Sequence, residues 1–190
     1  MSGFTGRELI ASRCAKFFKD GDFVNLGIGV PAMCVNYLPE GVELWLESEI
    51  GIVGCGPTPS WEDADPDLID AGGHPASVIT GGSVTDHCNS FAYIRGGHID
   101  VAVLGTLQVD QEGNIANWTI PGKLVPGMGG AMDLCAGVKK IIVATIRHIS
   151  TERTVSWKIY FKNSGGYLKS PLPSICKSIR LNFSTGFSTW

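Results

Sequence analysis

Apolar and polar residues follow a helical spacing at the start of the chain and a strand-like spacing soon after it. Thr5 and Glu8 form a Thr-x-x-Glu capping box, and the apolar residues behind it recur on one helical face until Gly21. This pattern predicts a first helix that packs on a sheet. A short apolar run at residues 23–26 then predicts a strand, and the alternation of apolar and polar residues at 42–46 predicts a second one.

Two later runs, residues 99–104 and 140–146, are almost entirely apolar and rich in β-branched side chains. Such runs are typical of strands that are buried on both faces of a parallel sheet. Helices are predicted between the strands, including a short one between Pro31 and Pro39 and another that begins at Gly130. This order of elements predicts an α/β fold, with an open, largely parallel sheet flanked by helices.

The composition, with 44% hydrophobic and 17% charged residues, is that of a soluble protein. The net charge of −3 argues against nucleic-acid binding, and no apolar run approaches the ~18 residues that span a bilayer. The six cysteines are scattered, the histidines lack metal-ligand spacing, and no basic-then-apolar leader opens the chain. We therefore expect a reduced, cytoplasmic protein without a metal and without a nucleic-acid or membrane partner.

The charge is unevenly distributed along the chain. Residues 1–146 carry 17 acidic and 8 basic side chains, a balance of −9, whereas residues 147–190 carry 1 and 7, a balance of +6. The two balances add to the net −3. This division predicts an α/β domain over residues 1–146 and a divergent basic C-terminal segment over residues 147–190.

Glu49 stands between the predicted strand at 42–46 and a glycine-punctuated stretch at 51–57, which is expected to be a loop. A carboxylate at the end of a strand, beside a loop that lets backbone come close, can act as a nucleophile or a general base. The alternative is a solvated loop acid, which is the commoner role of surface carboxylates.

Residues 27–32 match the dinucleotide-binding pattern G-x-G-x-x-G/A, and Glu47 stands near the place of a ribose-binding acid. A single match of this kind is weak evidence. Glycines between a strand and a helix start also bring backbone amides to other anionic or carbonyl groups. A dinucleotide-binding oxidoreductase is thus one alternative function.

Residues 46–54 resemble the Ser-Glu-Asn-Gly signature of the β subunits of family I CoA-transferases, the acetate/butyrate–acetoacetate and 3-oxoacid CoA-transferases. The resemblance covers roughly residues 5–146. It is specific, because seven further motifs on both sides of this signature occur in the family's order and at compatible spacing. They lie at residues 24–31, 36–39, 67–72, 94–98, 116–118, 121–123 and 127–134.

The resemblance implies an enzyme that transfers CoA between a short-chain acyl- or 3-oxoacyl-CoA and a carboxylic acid. Glu49 would be the nucleophile that forms a glutamyl-CoA thioester, with an α subunit as partner. Coenzyme A would be a substrate, and no cofactor is implied. Five glycines are expected to line the oxyanion or CoA site: Gly27, Gly29, Gly51, Gly129 and Gly130.

The chain departs from the family pattern at three places. Ile50 replaces an asparagine, and Glu47 replaces a glutamine or histidine. If Glu47 is close to Glu49, its carboxylate disfavours the ionised nucleophile. After His148 the family pattern stops, which suggests a changed reading frame or an unrelated extension. A non-catalytic or impaired structural subunit of a CoA-transferase complex is therefore the other alternative.

Overall fold

The computed structural model describes residues 5–109, 115–118, 122–123, 125, 127–148, 155–158 and 161–163. The described helices are α1, a 3₁₀ helix, α2 and α3, at Gly6–Ala15, Ala32–Tyr37, His87–Arg95 and Ala131–Gly137. The predicted capping box is confirmed at the start of α1, where the side chains and backbone amides of Thr5 and Glu8 bond reciprocally. The predicted helix near Gly130 is confirmed as α3.

Eight of the described strands form one sheet, in the order β10-β8-β5-β1-β2-β3-β4 with β9 paired to β8. In chain order, β1 to β5 lie at Phe23–Leu26, Trp45–Ser48, Ile52–Cys55, Val78–Val84 and Val101–Gly105. The strands β6 to β10 lie at Gln108–Val109, Ile115–Ala116, Lys140–His148, Val155–Lys158 and Phe161–Asn163, and β6 and β7 pair only with each other.

The central strands β8, β5, β1 and β2 are parallel, and the outer strands are antiparallel to their neighbours. The predicted mostly parallel sheet with flanking helices is therefore confirmed. Two local expectations were wrong. The strand expected at 42–46 lies at Trp45–Ser48, and part of the loop expected at 51–57 is the strand β3, because its residues pair with both β2 and β4.

The apolar runs are buried on both faces of the sheet, which explains their lack of alternation. In β5, Val101 and Val103 pack in a cluster with α1, whereas Ala102 and Leu104 pack in a cluster with α2 and α3. The β8 residues divide between the two clusters in the same alternating way. The two helical layers thus cover both faces of the central strands.

Of residues 147–190, the structure describes the end of β8 and the strands β9 and β10. The other residues of this range lie outside the described part of the chain. The expected division of the chain at residue 146 stays a prediction. The changed reading frame or unrelated extension suggested after His148 also stays a prediction. Within the ranges given above, no helix is long and apolar enough to cross a bilayer. The cytoplasmic location also stays a prediction.

Candidate active site

The parallel register of β1 and β2 places Asn25 directly opposite Glu47. Both side chains are buried, with 1% and 4% of their surface exposed. The Asn25 side-chain amide donates to Glu47 Oε2 at 2.7 Å. A polar pair therefore lies within the apolar sheet, where each buried group requires a hydrogen-bond partner.

A tight turn over residues 49–51 joins β2 to β3 and carries Glu49. The Gly51 amide donates to the Ser48 carbonyl at 2.9 Å, and the Gly51 carbonyl accepts from the Thr85 amide at 2.8 Å. Gly51 has a φ of +127°, and a Cβ at this position would lie 2.1 Å from the Thr85 carbonyl oxygen. The turn therefore requires glycine at residue 51, and the chain just after β4 holds it in place.

Glu49 is half-buried and projects from this turn toward two elements that are distant in sequence. Its Oε2 accepts from the Asn25 side-chain amide at 3.1 Å. Its Oε1 lies 3.8 Å from the position that a Cβ of Gly130 would occupy, at the start of α3. The fold thus brings together the expected nucleophile and one of the glycines expected at the oxyanion or CoA site.

Ser90 of α2 binds the other oxygen of Glu47. Its hydroxyl is buried and lies 2.7 Å from Glu47 Oε1 and 3.3 Å from the Ser48 carbonyl. Burial raises the pKa of Glu47, the hydrogen bonds from Asn25 and Ser90 oppose that rise, and the charge of Glu49 adds to it. Two carboxyl groups with different surroundings therefore share one small site.

The five glycines expected in the site have different environments. The Gly27 amide donates to the Val103 carbonyl at 2.9 Å, so this amide links β1 to β5. The Gly51 amide closes the turn described above. Gly29 and Gly129 are exposed and have positive φ values of +84° and +51°. Gly130 lies at the start of α3, beside the Glu49 carboxyl.

Sequence reasoning missed Asn25 and Ser90. Asn25 had a usable signal, because it is the polar residue inside the apolar run at 23–26. Ser90 had none, since a serine in a short helical stretch is unremarkable until the packing of α2 on β2 is known. Glu47 and Glu49 lie close together, since the side-chain amide of Asn25 contacts both carboxyl groups.

Cys55 lies on β3 near the two carboxyl groups. Burial raises the pKa of its thiol to about 11, and the charges of Glu47, Asp70 and Glu49 contribute. A thiol with this pKa stays protonated at neutral pH and is a weak nucleophile. Within the described residues, no group of three or more His, Cys, Asp or Glu side chains is arranged to hold a metal ion.

The coenzyme A transferase family model matches residues 7–175 of the chain. The β subunit of acetate CoA-transferase from Escherichia coli K12 is 56% identical over 138 residues, 73% of this chain and 62% of that protein. A subunit of a probable succinyl-CoA:3-ketoacid coenzyme A transferase from Bacillus subtilis is 50% identical over 137 residues, 72% of this chain and 63% of that protein. The chain therefore belongs to the coenzyme A transferase family.

The chain spans about three fifths of the length of these curated relatives. The fold agrees with a crystal structure of an acyl-CoA transferase from Escherichia coli O157:H7, with a TM-score of 0.56 and 24% identity. That similarity covers 79% of this chain and 26% of the other. At this identity the comparison supports the fold alone.

Proposed function

We propose that this chain is the catalytic β-type subunit of a CoA-transferase, with Glu49 as the nucleophile. The observation that carries the proposal is the placement of the Glu49 carboxyl between the Asn25 amide and the start of α3 at Gly130. A hydrogen-bond donor on one oxygen orients the half-buried Glu49 carboxylate as a nucleophile. Its other oxygen lies near Gly130, whose backbone amide is the proposed oxyanion donor.

The proposed reaction proceeds in two covalent stages. The Glu49 carboxylate attacks the acyl-CoA carbonyl, the C–S bond breaks, and CoA leaves as a thiolate while an acyl–glutamyl anhydride forms. The thiolate then attacks the glutamyl carbonyl, which releases the first carboxylic acid and leaves a glutamyl-CoA thioester. An acceptor carboxylate reverses the two steps and leaves as a new acyl-CoA. The thioester energy is conserved throughout, so no other energy source is needed.

Each stage passes through a tetrahedral oxyanion, which is stabilised by fixed N–H donors. Gly130 is the N-cap residue of α3, and backbone amides at a helix N-terminus lack partners within the helix and favour negative charge. We assign Gly130, with Gly129 beside it, to this role, and one such donor contributes about 3 kcal/mol to the transition state. Gly27 and Gly51 are assigned to backbone packing, because their amides are already engaged.

The relatives' names suggest the substrates and the partner. Acetate and succinyl-CoA:3-ketoacid CoA-transferases act on short-chain acids, and the matching chains are named as single subunits of these enzymes. We therefore propose a short-chain acyl- or 3-oxoacyl-CoA donor, a short carboxylate acceptor and an α subunit that completes the enzyme. The dinucleotide-binding alternative has little support, since a 3₁₀ helix follows β1 where that motif places an α-helix.

Covalent trapping tests the proposal. The full chain is co-expressed with an α subunit, incubated with acetoacetyl-CoA, reduced with borohydride and digested for peptide mass analysis. We expect a reduced, alcohol-bearing side chain at Glu49, and fragmentation must separate it from Glu47 in the same peptide. The variant Glu49→Gln should give no trapped product, and the variant Glu43→Gln, at an exposed position of the same segment, should be trapped like the wild type.

A folded complex in which Glu49 stays unmodified would contradict the proposal. That result would favour the non-catalytic subunit, the alternative that the replacement at Ile50 suggests. A CoA-binding measurement on the same complex then separates binding without turnover from a complete loss of the site.

A further inference from the structure

The hydrogen-bond donors around Glu47 fit one protonation state better than the other. The Ser90 hydroxyl has a single hydrogen but lies within hydrogen-bond distance of two acceptors, Glu47 Oε1 and the Ser48 carbonyl. If Glu47 is ionised, the two acceptors compete for that hydrogen. If Glu47 carries a proton on Oε1, it donates to Ser90, and Ser90 donates to Ser48. The neutral acid satisfies every contact.

The Asn25 amide leads to the same conclusion from the opposite side. It lies 2.7 Å from Glu47 Oε2 and 3.1 Å from Glu49 Oε2, with a longer contact of 3.5 Å to the Glu47 carbonyl. Two carboxyl groups that meet on one amide repel each other when both are ionised. In the part of the chain that the structure describes, the ion pairs of lysine, arginine and histidine involve neither of them. Protonation of one of the two carboxyl groups therefore relieves a repulsion that none of these ion pairs neutralises.

The surroundings decide which carboxyl holds this proton. Glu47 is buried, whereas Glu49 is half-buried, and burial disfavours the charged form. β1 and α2 face Glu47 with the neutral side chains of Asn25 and Ser90. The charged group that acts on it is Glu49 in the following turn, which disfavours its ionisation. The thiol of Cys55 on β3 has a pKa raised to about 11, so it stays protonated at neutral pH and adds no charge.

We propose that Glu47 is a positioning residue that stays protonated on Oε1 beside ionised Glu49 and fixes Asn25 so that its amide donates to Glu49. The kinetic part of this inference rests on the function proposed above. When Glu47 loses the proton, the Asn25 and Ser90 donors are drawn to the new anion, and the Glu49 carboxylate loses orientation. The nucleophile is therefore expected to work best while Glu47 is neutral.

Infrared difference spectroscopy locates the proton without requiring turnover. The full chain is measured at pH ~6, well above the ordinary glutamate pKa of 4.5, and the spectrum of Glu47→Gln is subtracted. We expect the band of a protonated carboxyl group in the wild type and in the exposed-site control Glu43→Gln. It should be absent from Glu47→Gln. A folded wild type with carboxylate bands alone, or a band that persists in Glu47→Gln, would overturn the inference.

The pH profile of kcat/KM tests the positioning role. Glutamine reproduces the donor and acceptor pattern of the neutral acid, so Glu47→Gln should keep kcat/KM within about threefold at the optimum. The wild type should lose activity by about tenfold per pH unit once Glu47 ionises, and Glu47→Gln should lack this alkaline limb. Superimposable profiles would contradict the role, because a merely structural residue leaves the profile unchanged.

The two measurements keep the two proposals separate. If no form of the complex transfers CoA, the proposed function fails, and the infrared band still decides where the proton lies. If transfer occurs but the band is missing, only the inference on Glu47 fails. Should Glu47→Gln not fold, Ser90→Ala replaces it. Removal of the hydroxyl should shift the protonated-carboxyl band, and an unshifted band would overturn the assignment to Glu47.

Discussion

The side-chain amide of Asn25 lies 3.1 Å from Glu49 Oε2, although the two residues belong to different elements of the fold. Asn25 is on the central strand β1, and Glu49 is in the turn after the neighbouring strand β2. The contact depends on the parallel pairing of these strands, which places residue 25 opposite residue 47. The orientation of the candidate nucleophile is therefore built into the sheet.

Replacement of Asn25 by alanine tests this dependence. Asn25→Ala leaves the buried Glu47 with fewer donors, which should lower the free energy of unfolding by about 1–3 kcal/mol. It also leaves Glu49 without its amide donor, so formation of the glutamyl-CoA thioester that borohydride traps should slow on the order of 10²-fold. Urea unfolding and single-turnover trapping measure the two effects. Asn36→Ala, at an exposed position of the 3₁₀ helix, is the matched control and should change neither.

The buried carboxyl of Glu47 predicts a pH-dependent stability. Burial raises the pKa of Glu47 above its ordinary value of 4.5, with the charge of Glu49 adding to the rise. Between that ordinary value and the raised pKa, the folded chain therefore binds more protons than the unfolded chain. Stability is full below this window and falls through it as the pH rises, by up to about 1.4 kcal/mol per pH unit.

The measurement is the difference in the free energy of unfolding between wild type and Glu47→Gln, by urea denaturation at a series of pH values. Subtraction removes the contributions of the other titrating groups. The free energy of unfolding of the wild type should fall relative to that of Glu47→Gln as the pH rises through the window. Above the window the difference should level off. A difference that is independent of pH, or that moves in favour of the wild type, would show that the folded chain does not retain the Glu47 proton.

Two strands of the parallel part of the fold, β5 and β8, could be predicted from the sequence because each has a strong local signal. The runs at 99–104 and 140–146 are apolar on both faces, and both correspond to central strands. The antiparallel strand β3 was missed for a physical reason. Glycines punctuate the stretch that contains it, and its stability comes from pairing with β2 and β4, which is a tertiary effect.

The site was predictable only in part. Glu49 and Gly130 belong to separate motifs, and the resemblance to a family connected them before any geometry was known. Asn25 and Ser90 act through contacts that the folding of three elements creates, so spacing along the chain does not connect them to Glu49. The position of Glu47 was recognised as unusual, but its partners decide its protonation, and these partners could not be read from the sequence.

Gly51 should be irreplaceable in the turn that carries Glu49. An alanine Cβ at residue 51 would meet the Thr85 carbonyl at 2.1 Å, in addition to the strain of a positive φ. Gly51→Ala should lower the free energy of unfolding by about 3 kcal/mol or more, since backbone must move to relieve the clash. Gly41→Ala is the matched control, because Gly41 also has a positive φ, of +77°, but open space around it.

The control should show the conformational strain alone, about 1–2 kcal/mol. The gap between the two variants in urea unfolding then measures the contact between the turn and Thr85 together with the additional strain of the φ of +127° at residue 51. Equal losses for Gly51→Ala and Gly41→Ala would mean that the turn moves freely away from the segment after β4. In that case the turn would not hold Glu49 in one position, and the basis for its orientation would be lost.

Gly130 provides a test of the oxyanion site that leaves the fold intact. Its φ is −74°, so alanine causes no backbone strain there. The added Cβ would lie 3.3 Å from the tip of the Phe91 ring and 3.8 Å from Glu49 Oε1. The ring contact is tight but involves the end of a side chain, so the free energy of unfolding should fall by about 1 kcal/mol, the low end for overpacking.

Activity should respond much more strongly than stability. The methyl group of Gly130→Ala occupies space beside the Glu49 carboxyl, whose carbon becomes tetrahedral when the thiolate attacks, and a displacement of about 1 Å at a reacting centre costs on the order of 10²-fold in rate. We expect kcat to fall by about that factor while the unfolding transition and the assembly with the α subunit stay normal. A variant with full activity would place the oxyanion away from the start of α3 and would leave Asn25 as the contact that orients Glu49.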